Sequence, residues 1–243
     1  MTAYDARFYR SLDSSAEPSA RKIVPLLLRL VPCRSVADIG CGDGGWLAAF
    51  RAAGIDDILG FDGPWVDAAL LKIPTDRFRC ADLAAPVKAE RRFDIAMSLE
   101  VAEHLAAERA GTFVADLVAL APVVLFSAAV PGQGGVHHVN EQWPAYWTAL
   151  FKAHGYRGLD LLRPMIWNDS SISWWYRQNL VLFAAEHVIA GNEKLAALVS
   201  SAPDEPPALV HPELLSIVLK RSRPSFGRWL RMLPDALGWS DRS

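Results

Sequence analysis

The chain has 243 residues, of which 51% are hydrophobic and 21% are charged, so it has enough apolar material for one α/β domain with an appendage. The formal net charge of −2 argues against a nucleic-acid partner, which usually requires a strongly basic surface. Three scattered cysteines do not predict a disulfide framework.

The first 34 residues predict an N-terminal helical cap. Residues 4–19 are polar and aromatic, and they precede an apolar segment with helical periodicity at 19–31. The opening lacks the apolar stretch of a secretory signal, so we expect a cytoplasmic protein.

Strand and helix patterns alternate over residues 35–188, which predicts a parallel sheet covered on both faces by helices. Short apolar runs predict strands at 35–40, 57–62, 77–82, 93–99 and 123–130. Helical periodicity between and after them predicts helices at 44–54, 65–72, 101–120 and 142–155.

The end of this series differs from its beginning. Strand candidates at 157–166 and 179–186 follow one another with no helix-length pattern between them, which predicts a hairpin at the sheet edge. The predicted fold is therefore α/β: a seven-stranded, mostly parallel Rossmann-like sheet with an antiparallel last strand.

Residues 189–243 predict a C-terminal helical appendage, with helices at 211–223 and 226–239. The segment 219–233 carries five basic residues and no acid, interleaved with apolar residues. We expect it to pack against its own domain or a second subunit of a homo-oligomer, because so short a basic segment binds a membrane only weakly.

The turn after the first predicted strand, VADIGCGDGGWL, has two interpretations. Gly40, Gly42 and Gly45 fit the G-x-G-x-x-G of a dinucleotide-binding turn, whereas Asp38, Gly40, Gly42 and Gly44 fit D-x-G-x-G-x-G. Both patterns need glycine, because a tight strand-to-helix turn takes positive φ and lets the backbone approach a ligand.

Carboxylates at other strand ends help to choose between these interpretations. Asp62 ends the second strand, where an acid accepts ribose hydroxyls with either type of cofactor. Asp82 ends the third strand, where it is placed to accept from an adenine amino group while Leu83 packs on the ring. Asp43 lies inside the glycine turn, where a negative charge suits a sulfonium better than a pyrophosphate.

Four motifs follow one another along the chain: D-x-G-x-G-x-G, the acid of GFDGPW, CADL and FDIAMSLEVAEHL. Together they resemble the motifs of class I S-adenosylmethionine-dependent methyltransferases over roughly residues 35–185. The resemblance implies that fold and S-adenosylmethionine as the cofactor. The cofactor-binding residues that it implies are Asp38, Gly40, Cys41, Gly42, Gly44, Asp62, Gly63, Asp82, Leu83, Ser98 and Leu99.

The acceptor side is predicted to include Glu100, Glu103 and His104 of LEVAEHL and His138 of the later loop PGQGGVHHVNEQWP. In one interpretation His138 or His104 is a general base, with Glu100 near the transferred methyl group. In another, a divalent Mg or Mn is bound by Glu100, Glu103, His104 and His138. This interpretation rests on the pattern E-x-x-E-H with a later histidine, which resembles metal-dependent methyltransferases of the ubiquinone-biosynthesis and small-RNA types. In a third, these side chains only cap helices and hydrogen-bond the loop.

Aromatic residues are concentrated in QWPAYWTALF and in MIWNDSSISWWYRQN. The first set has helical spacing and predicts a core stripe, whereas the second suits either packing or a pocket for sugar rings. The run from the glycine turn to WWYRQN resembles methyltransferases of bacterial polysaccharide and natural-product clusters. We therefore expect O-methylation of a small molecule or glycan, with a sugar favoured. The alternatives are a phenol, quinol or N-methyltransferase, a non-catalytic S-adenosylmethionine-binding protein, or a nicotinamide-dependent oxidoreductase.

Overall fold

The computed structural model describes the backbone of residues 6–222 and the side chains of residues 16–222. Its centre is a seven-stranded sheet. The strands are β1 (Ser35–Ile39), β2 (Asp57–Asp62), β3 (Phe78–Cys80), β4 (Ile95–Leu99), β5 (Val123–Ser127), β6 (Tyr156–Leu159) and β7 (Val181–Ala185).

The strand order is β3-β2-β1-β4-β5-β7-β6. Strands β1 to β5 pair in parallel, and β7 lies antiparallel between β5 and β6. All residues of β1, β4 and β5 are buried, as expected for central strands with helices on both faces. The predicted mostly parallel sheet with an antiparallel last strand is confirmed.

Nine helices surround the sheet within the described residues. They are α1 (Ala6–Leu30), α2 (Gly45–Ala52), α3 (Ala110–Leu120), α4 (Pro144–Lys152), α5 (Arg163–Ile166), α6 (Trp174–Asn179), α7 (Glu186–Ala190), α8 (Glu193–Ser200) and α9 (Pro212–Ser222).

Helix α1 is longer than the apolar pattern predicts, since it begins at Ala6 rather than near residue 19. Its residues Ile23, Val24 and Leu27 are fully buried in the core on one face of the sheet. Packing of this apolar stripe, more than local composition, stabilises the helix, and the polar segment upstream continues it.

The prediction of a helix at 65–72 is wrong. Only a 3-10 turn forms there, at Ala68–Leu70, and all three of its side chains are exposed. The side chains of residues 68–70 pack in neither hydrophobic core, so packing does not stabilise a longer helix here.

The helix predicted at 101–120 is only partly formed. Two 3-10 turns, Ala102–His104 and Ala107–Arg109, precede α3. The backbone carbonyl of Glu103 accepts from the N–H groups of Val139 and Asn140 instead of from a following helical turn. The prediction of no helix between the last two strands is also wrong, because the short helices α5 and α6 lie there.

Helix α9 confirms the first helix predicted for the C-terminal appendage. The start of this helix is attached to the domain: the N–H of the buried His211 donates to Gln178 Oε1 at 2.7 Å, and the buried Arg177 pairs with the half-exposed Glu213. The predicted helix at 226–239 and most of the basic segment 219–233 lie outside the described residues. Between residues 6 and 222, no helix is long and apolar enough to cross a membrane.

Candidate active site

A cavity of about 350 Å³ opens at the carboxyl ends of β1, β2 and β4. Because the strand order reverses between β1 and β4, this is the crevice in which open α/β sheets bind ligands. Eight predicted cofactor residues line it: Asp38, Gly40, Cys41, Gly42, Asp62, Asp82, Leu83 and Leu99. Three others, Gly44, Gly63 and Ser98, do not.

The glycine turn has the geometry that D-x-G-x-G-x-G requires. Gly40 and Gly44 have φ of 87° and 84°, and Gly44 is the N-cap of α2. A Cβ on Gly40 would lie 2.3 Å from Val101 Cγ2, so a larger residue would displace the wall of the cavity. Gly45, the third glycine of the alternative pattern, is the first residue of α2.

Asp62 connects the end of β2 to this turn. Its Oδ2 accepts from the N–H of Gly42 and its Oδ1 from the N–H of Gly63, both at 2.7 Å. Burial raises the pKa of Asp62, and these two N–H groups and the side chain of Trp65 partly offset that effect. A carboxylate has about four acceptor sites, so Asp62 can still accept from the ribose.

Asp38 is buried beside Asp62 in the cavity wall. Burial, together with the negative charge of Asp62, raises the pKa of Asp38 to about 8. A cation beside it would favour the carboxylate form. Within the described part of the chain the cavity lining includes several acids but no Lys or Arg, which suits a cationic ligand better than a pyrophosphate.

From its position in the sequence, the negative charge of Asp43 is expected to favour a sulfonium over a pyrophosphate, and the structure does not support this expectation. Lys72 Nζ lies 2.7 Å from Asp43 Oδ2, and Asp43 Oδ1 accepts from the N–H of Gly45. Its charge is therefore paired with a cation, and the acids Asp38 and Asp62 carry the argument instead.

At the end of β3, Asp82 Oδ1 accepts from the N–H of Ala84 at 3.0 Å, and Leu83 is buried. Ser98 lies inside β4, opposite Phe126, and its hydroxyl has no hydrogen-bond partner within the described part of the chain. The tryptophans Trp46 and Trp65 also line the cavity, although the sequence pattern does not single them out. The indole of Trp65 covers Gly63, where a Cβ would lie 2.2 Å from the ring.

Glu100 also lines the cavity and has φ of 56°, which is unusual for a residue other than glycine. Its carboxylate accepts hydrogen bonds from the side-chain amides of Asn179 and Gln133. Burial raises the pKa of Glu100, against the effect of these donors.

Glu103, His104 and His138 form a cluster whose candidate ligand atoms all lie within 4.8 Å of one another. Glu103 is fully buried, and neither of its carboxylate oxygens has a hydrogen bond of normal geometry to the residues that the structure describes. Burial and the nearby charge of Glu100 raise the pKa of Glu103 well above its usual range. Glu100 does not belong to this cluster.

His104 lines the cavity and His138 stands behind it, with the ring centroids 4.9 Å apart. Burial, followed by the charge of His138, lowers the pKa of His104 to about 4. His138 Nδ1 lies 2.9 Å from Glu141 Oε1, which also accepts from the N–H of Gly134, while Glu141 Oε2 accepts from the N–H of Gly132. Glu141 therefore orders the loop. Because Nδ1 of His138 contacts Glu141, Nε2 is the ring nitrogen that remains for another partner.

Solved structures of similar fold include several methyltransferases. DesVI from Streptomyces venezuelae is 16% identical, with a TM-score of 0.56 over 75% of this chain and 99% of that chain. CalS10 from Micromonospora echinaspora, an amino pentose methyltransferase bound to S-adenosylmethionine, is 15% identical, with a TM-score of 0.55 over 74% and 97%. The magnesium protoporphyrin IX methyltransferase ChlM of Synechocystis, bound to S-adenosylhomocysteine, is 16% identical, with a TM-score of 0.50 over 70% and 84%.

No curated protein sequence matches the chain significantly. A family model described as "Methyltransferase domain" matches residues 12–157, a region that is more than half of the chain and contains the glycine turn and both acceptor-side glutamates. The chain therefore belongs to this methyltransferase family, and it is a class I S-adenosylmethionine-dependent methyltransferase.

Proposed function

We propose that this enzyme is an O-methyltransferase that acts on a hydroxyl of a small molecule or glycan, with a sugar as the favoured acceptor. The observation that carries the proposal is that the acids Asp38 and Asp62 line the same cavity as Glu100 and His104. Cofactor and acceptor groups can therefore meet in one space that is closed on several sides.

S-adenosylmethionine supplies an electrophilic methyl group on a positively charged sulfur. Asp62 accepts the ribose hydroxyls, Leu83 packs against adenine, and Asp38 provides a negative charge for the cationic part of the cofactor. Cys41 and Leu99 complete the wall around it.

The acceptor end has a group that can take a proton. The imidazole of His104 faces the cavity, so it can accept the proton that a hydroxyl loses when its oxygen is methylated. Glu100 is placed to accept a hydrogen bond from the same hydroxyl and orient it. His138, which does not line the cavity, supports the ring of His104 from behind.

The cluster of Glu103, His104 and His138 also fits a divalent cation. Among residues 16–222 its buried carboxylate has no hydrogen-bond partner of normal geometry, and Glu141 contacts His138 Nδ1 as the acids that orient metal-binding histidines do. These three residues would hold Mn or Mg, which would bind and acidify an acceptor hydroxyl there. Two imidazoles suit Mn better than Mg.

Support for a sugar comes from the aromatic lining. Trp46, Trp65, Trp175 and Tyr176 line the cavity next to acids that accept hydroxyl hydrogen bonds, a combination that suits sugar rings. CalS10 is described as an amino pentose methyltransferase, whereas ChlM acts on magnesium protoporphyrin IX. Methylation of a phenol, a quinol or a nitrogen is the second candidate, because planar rings also stack on tryptophan.

The test combines binding with a screen for products. Calorimetry should detect binding of S-adenosylhomocysteine and none of NAD(H). Mass spectrometry of mono- and oligosaccharides, phenols and amines, each incubated with the enzyme and S-adenosylmethionine, should find one added methyl group on a sugar oxygen. Methylation of only phenols or amines would overturn the acceptor class. Tight S-adenosylhomocysteine binding with no methylated product in any class would favour the non-catalytic binding protein.

A further inference from the structure

The carboxylate of Glu100 is held by two buried side-chain amides. Asn179 Nδ2 lies 3.1 and 3.2 Å from its two oxygens, and Gln133 Nε2 lies 3.0 Å from Oε2. The N–H of Glu100 donates to Ser127 Oγ at 3.1 Å. Both the backbone and the side chain of Glu100 are therefore fixed, in a conformation that a non-glycine residue adopts only when its surroundings impose it.

Both amides are oriented by a third one. Gln178 Nε2 donates to Asn179 Oδ1 at 2.9 Å and to Gln133 Oε1 at 3.3 Å, and Asn179 Nδ2 donates to Gln133 Oε1 at 3.0 Å. Because both amide oxygens already accept from these donors, their NH₂ groups face Glu100. A flip of either amide would bring its oxygen against a carboxylate oxygen.

The third amide is itself fixed from the C-terminal side. Gln178 is fully buried, and its Oε1 accepts from the N–H of His211 at 2.7 Å. Arg221 of α9 donates to the backbone carbonyl of Gln133 at 3.1 Å. A continuous set of hydrogen bonds therefore extends from the segment around α9 to the cavity wall.

Neither Asn179 nor Gln133 lines the cavity, so each can affect a bound acceptor only through Glu100. We infer that Gln133 and Asn179 are positioning residues that hold the Glu100 carboxylate toward the acceptor hydroxyl, and this inference rests on the proposed function. Amides suit this role, because they donate to the carboxylate without neutralising its charge, and its remaining lone pairs stay available to the acceptor.

The test is a double-mutant cycle on methyl transfer to the acceptor found by the screen. Gln133→Met keeps the length of the side chain and removes its donor, and we expect it to lower kcat about tenfold or more with cofactor affinity unchanged. Glu100→Gln alone should cost on the order of a hundredfold. In the Glu100→Gln background, Gln133→Met should cost no more than a further twofold, because its effect passes through the carboxylate.

Gln142→Met is the matched control. Gln142 belongs to the same loop, but its amide donates to Asn140 and not to Glu100. It should leave kcat near that of the wild type. Equal losses in Gln142→Met and Gln133→Met, or a Gln133→Met loss that is the same with and without the Glu100 carboxylate, would show a structural role and overturn the inference.

A crystal structure of Asn179→Leu with S-adenosylhomocysteine gives a readout that needs no acceptor. The Glu100 side chain should leave its position while the glycine turn and Asp62 stay in place. An unmoved carboxylate would overturn the inference. If the wild-type enzyme itself fails to bind S-adenosylhomocysteine, the proposed function fails instead, and the two failures are thus distinguishable.

Discussion

Two acids in the cavity wall show what single residues contribute and what the sequence reveals about them. Asp38 and Asp62 stand at strand ends, so their place in the cavity wall follows from the order of strands and turns. The ion pair between Asp43 and Lys72 cannot be predicted in this way, because Lys72 belongs to a later, irregular connection. The amide partners of Glu100 are also invisible in the sequence, since they come from positions 33 and 79 residues away.

Asp38 should make the stability of the protein depend on pH. Its pKa is about 8 in the folded protein, against an ordinary value of 3.8, so between these values the folded state keeps a proton that the unfolded state releases. The free energy of unfolding should therefore fall as the pH rises through this window, by up to about 1.4 kcal/mol per pH unit from this group, and level off above pH 8.

Chemical denaturation of the wild type, Asp38→Asn and the exposed control Asp56→Asn at several pH values tests this prediction. Asp38→Asn should show a shallower fall between pH 5 and pH 8. Asp56→Asn should follow the wild type. Parallel curves for the wild type and Asp38→Asn would contradict the raised pKa.

Asp62→Ala should weaken binding of S-adenosylhomocysteine by roughly 1.5–3 kcal/mol, because it removes hydrogen bonds between a charged group and the ribose. Calorimetry measures the effect, and thermal unfolding shows whether the fold is intact. Unchanged affinity in a folded variant would remove Asp62 from the cofactor site.

Two connections at the carboxyl end of the sheet build the acceptor side. The segment after β4 supplies Glu100, Glu103 and His104, and the loop after β5 supplies His138 and Glu141. Sequence periodicity predicts one helix over 101–120, but the carbonyl of Glu103 binds the N–H groups of Val139 and Asn140, which is a tertiary contact that no local pattern encodes. The strands were easier to predict than this segment, because their burial produces continuous apolar runs.

The cluster between these two connections should respond to metal. Added MnCl₂ should raise the thermal midpoint of the wild type, since a ligand at a hundred times its Kd stabilises by about 2.7 kcal/mol. Glu103→Gln should lose this shift, whereas Glu108→Gln, an exposed change in the next turn, should keep it. No shift in the wild type, or the same shift in Glu103→Gln, would contradict the metal-binding interpretation, as would full activity in EDTA.

Helix α9 should hold the loop after β5. Arg221→Met removes the hydrogen bond to the carbonyl of Gln133, and we expect hydrogen exchange over residues 131–141 to become roughly three- to tenfold faster, the effect of losing about 1 kcal/mol of local stability. Lys220→Met, a change at the neighbouring exposed basic residue, is the control. Equal exchange in both variants and the wild type would show that α9 does not stabilise the loop.

In the described part of the molecule, the N-terminal helix and the sheet line one cavity, and the C-terminal segment reaches its wall through hydrogen bonds to Gln178 and Gln133. Ala16 of α1 lines this cavity, and α1 packs in the same core as α2. The sequence alone predicts the sheet, its order of elements and the cofactor end, because glycine and acid positions are set by backbone geometry at strand ends. It does not predict the connections at the acceptor end, where buried amides, His104 and loop backbone meet through long-range contacts.

The most direct test of the central claim is transfer of an isotopically labelled methyl group from S-adenosylmethionine to a panel of sugars, phenols and amines, with the wild type and His104→Ala compared by mass spectrometry. We expect one labelled methyl group on a hydroxyl oxygen, with a sugar as the best acceptor. We also expect His104→Ala to lower the rate on the order of a hundredfold while S-adenosylhomocysteine binding is retained. A label found only on nitrogen, or an unchanged rate in His104→Ala, would contradict the proposed O-methyltransferase activity.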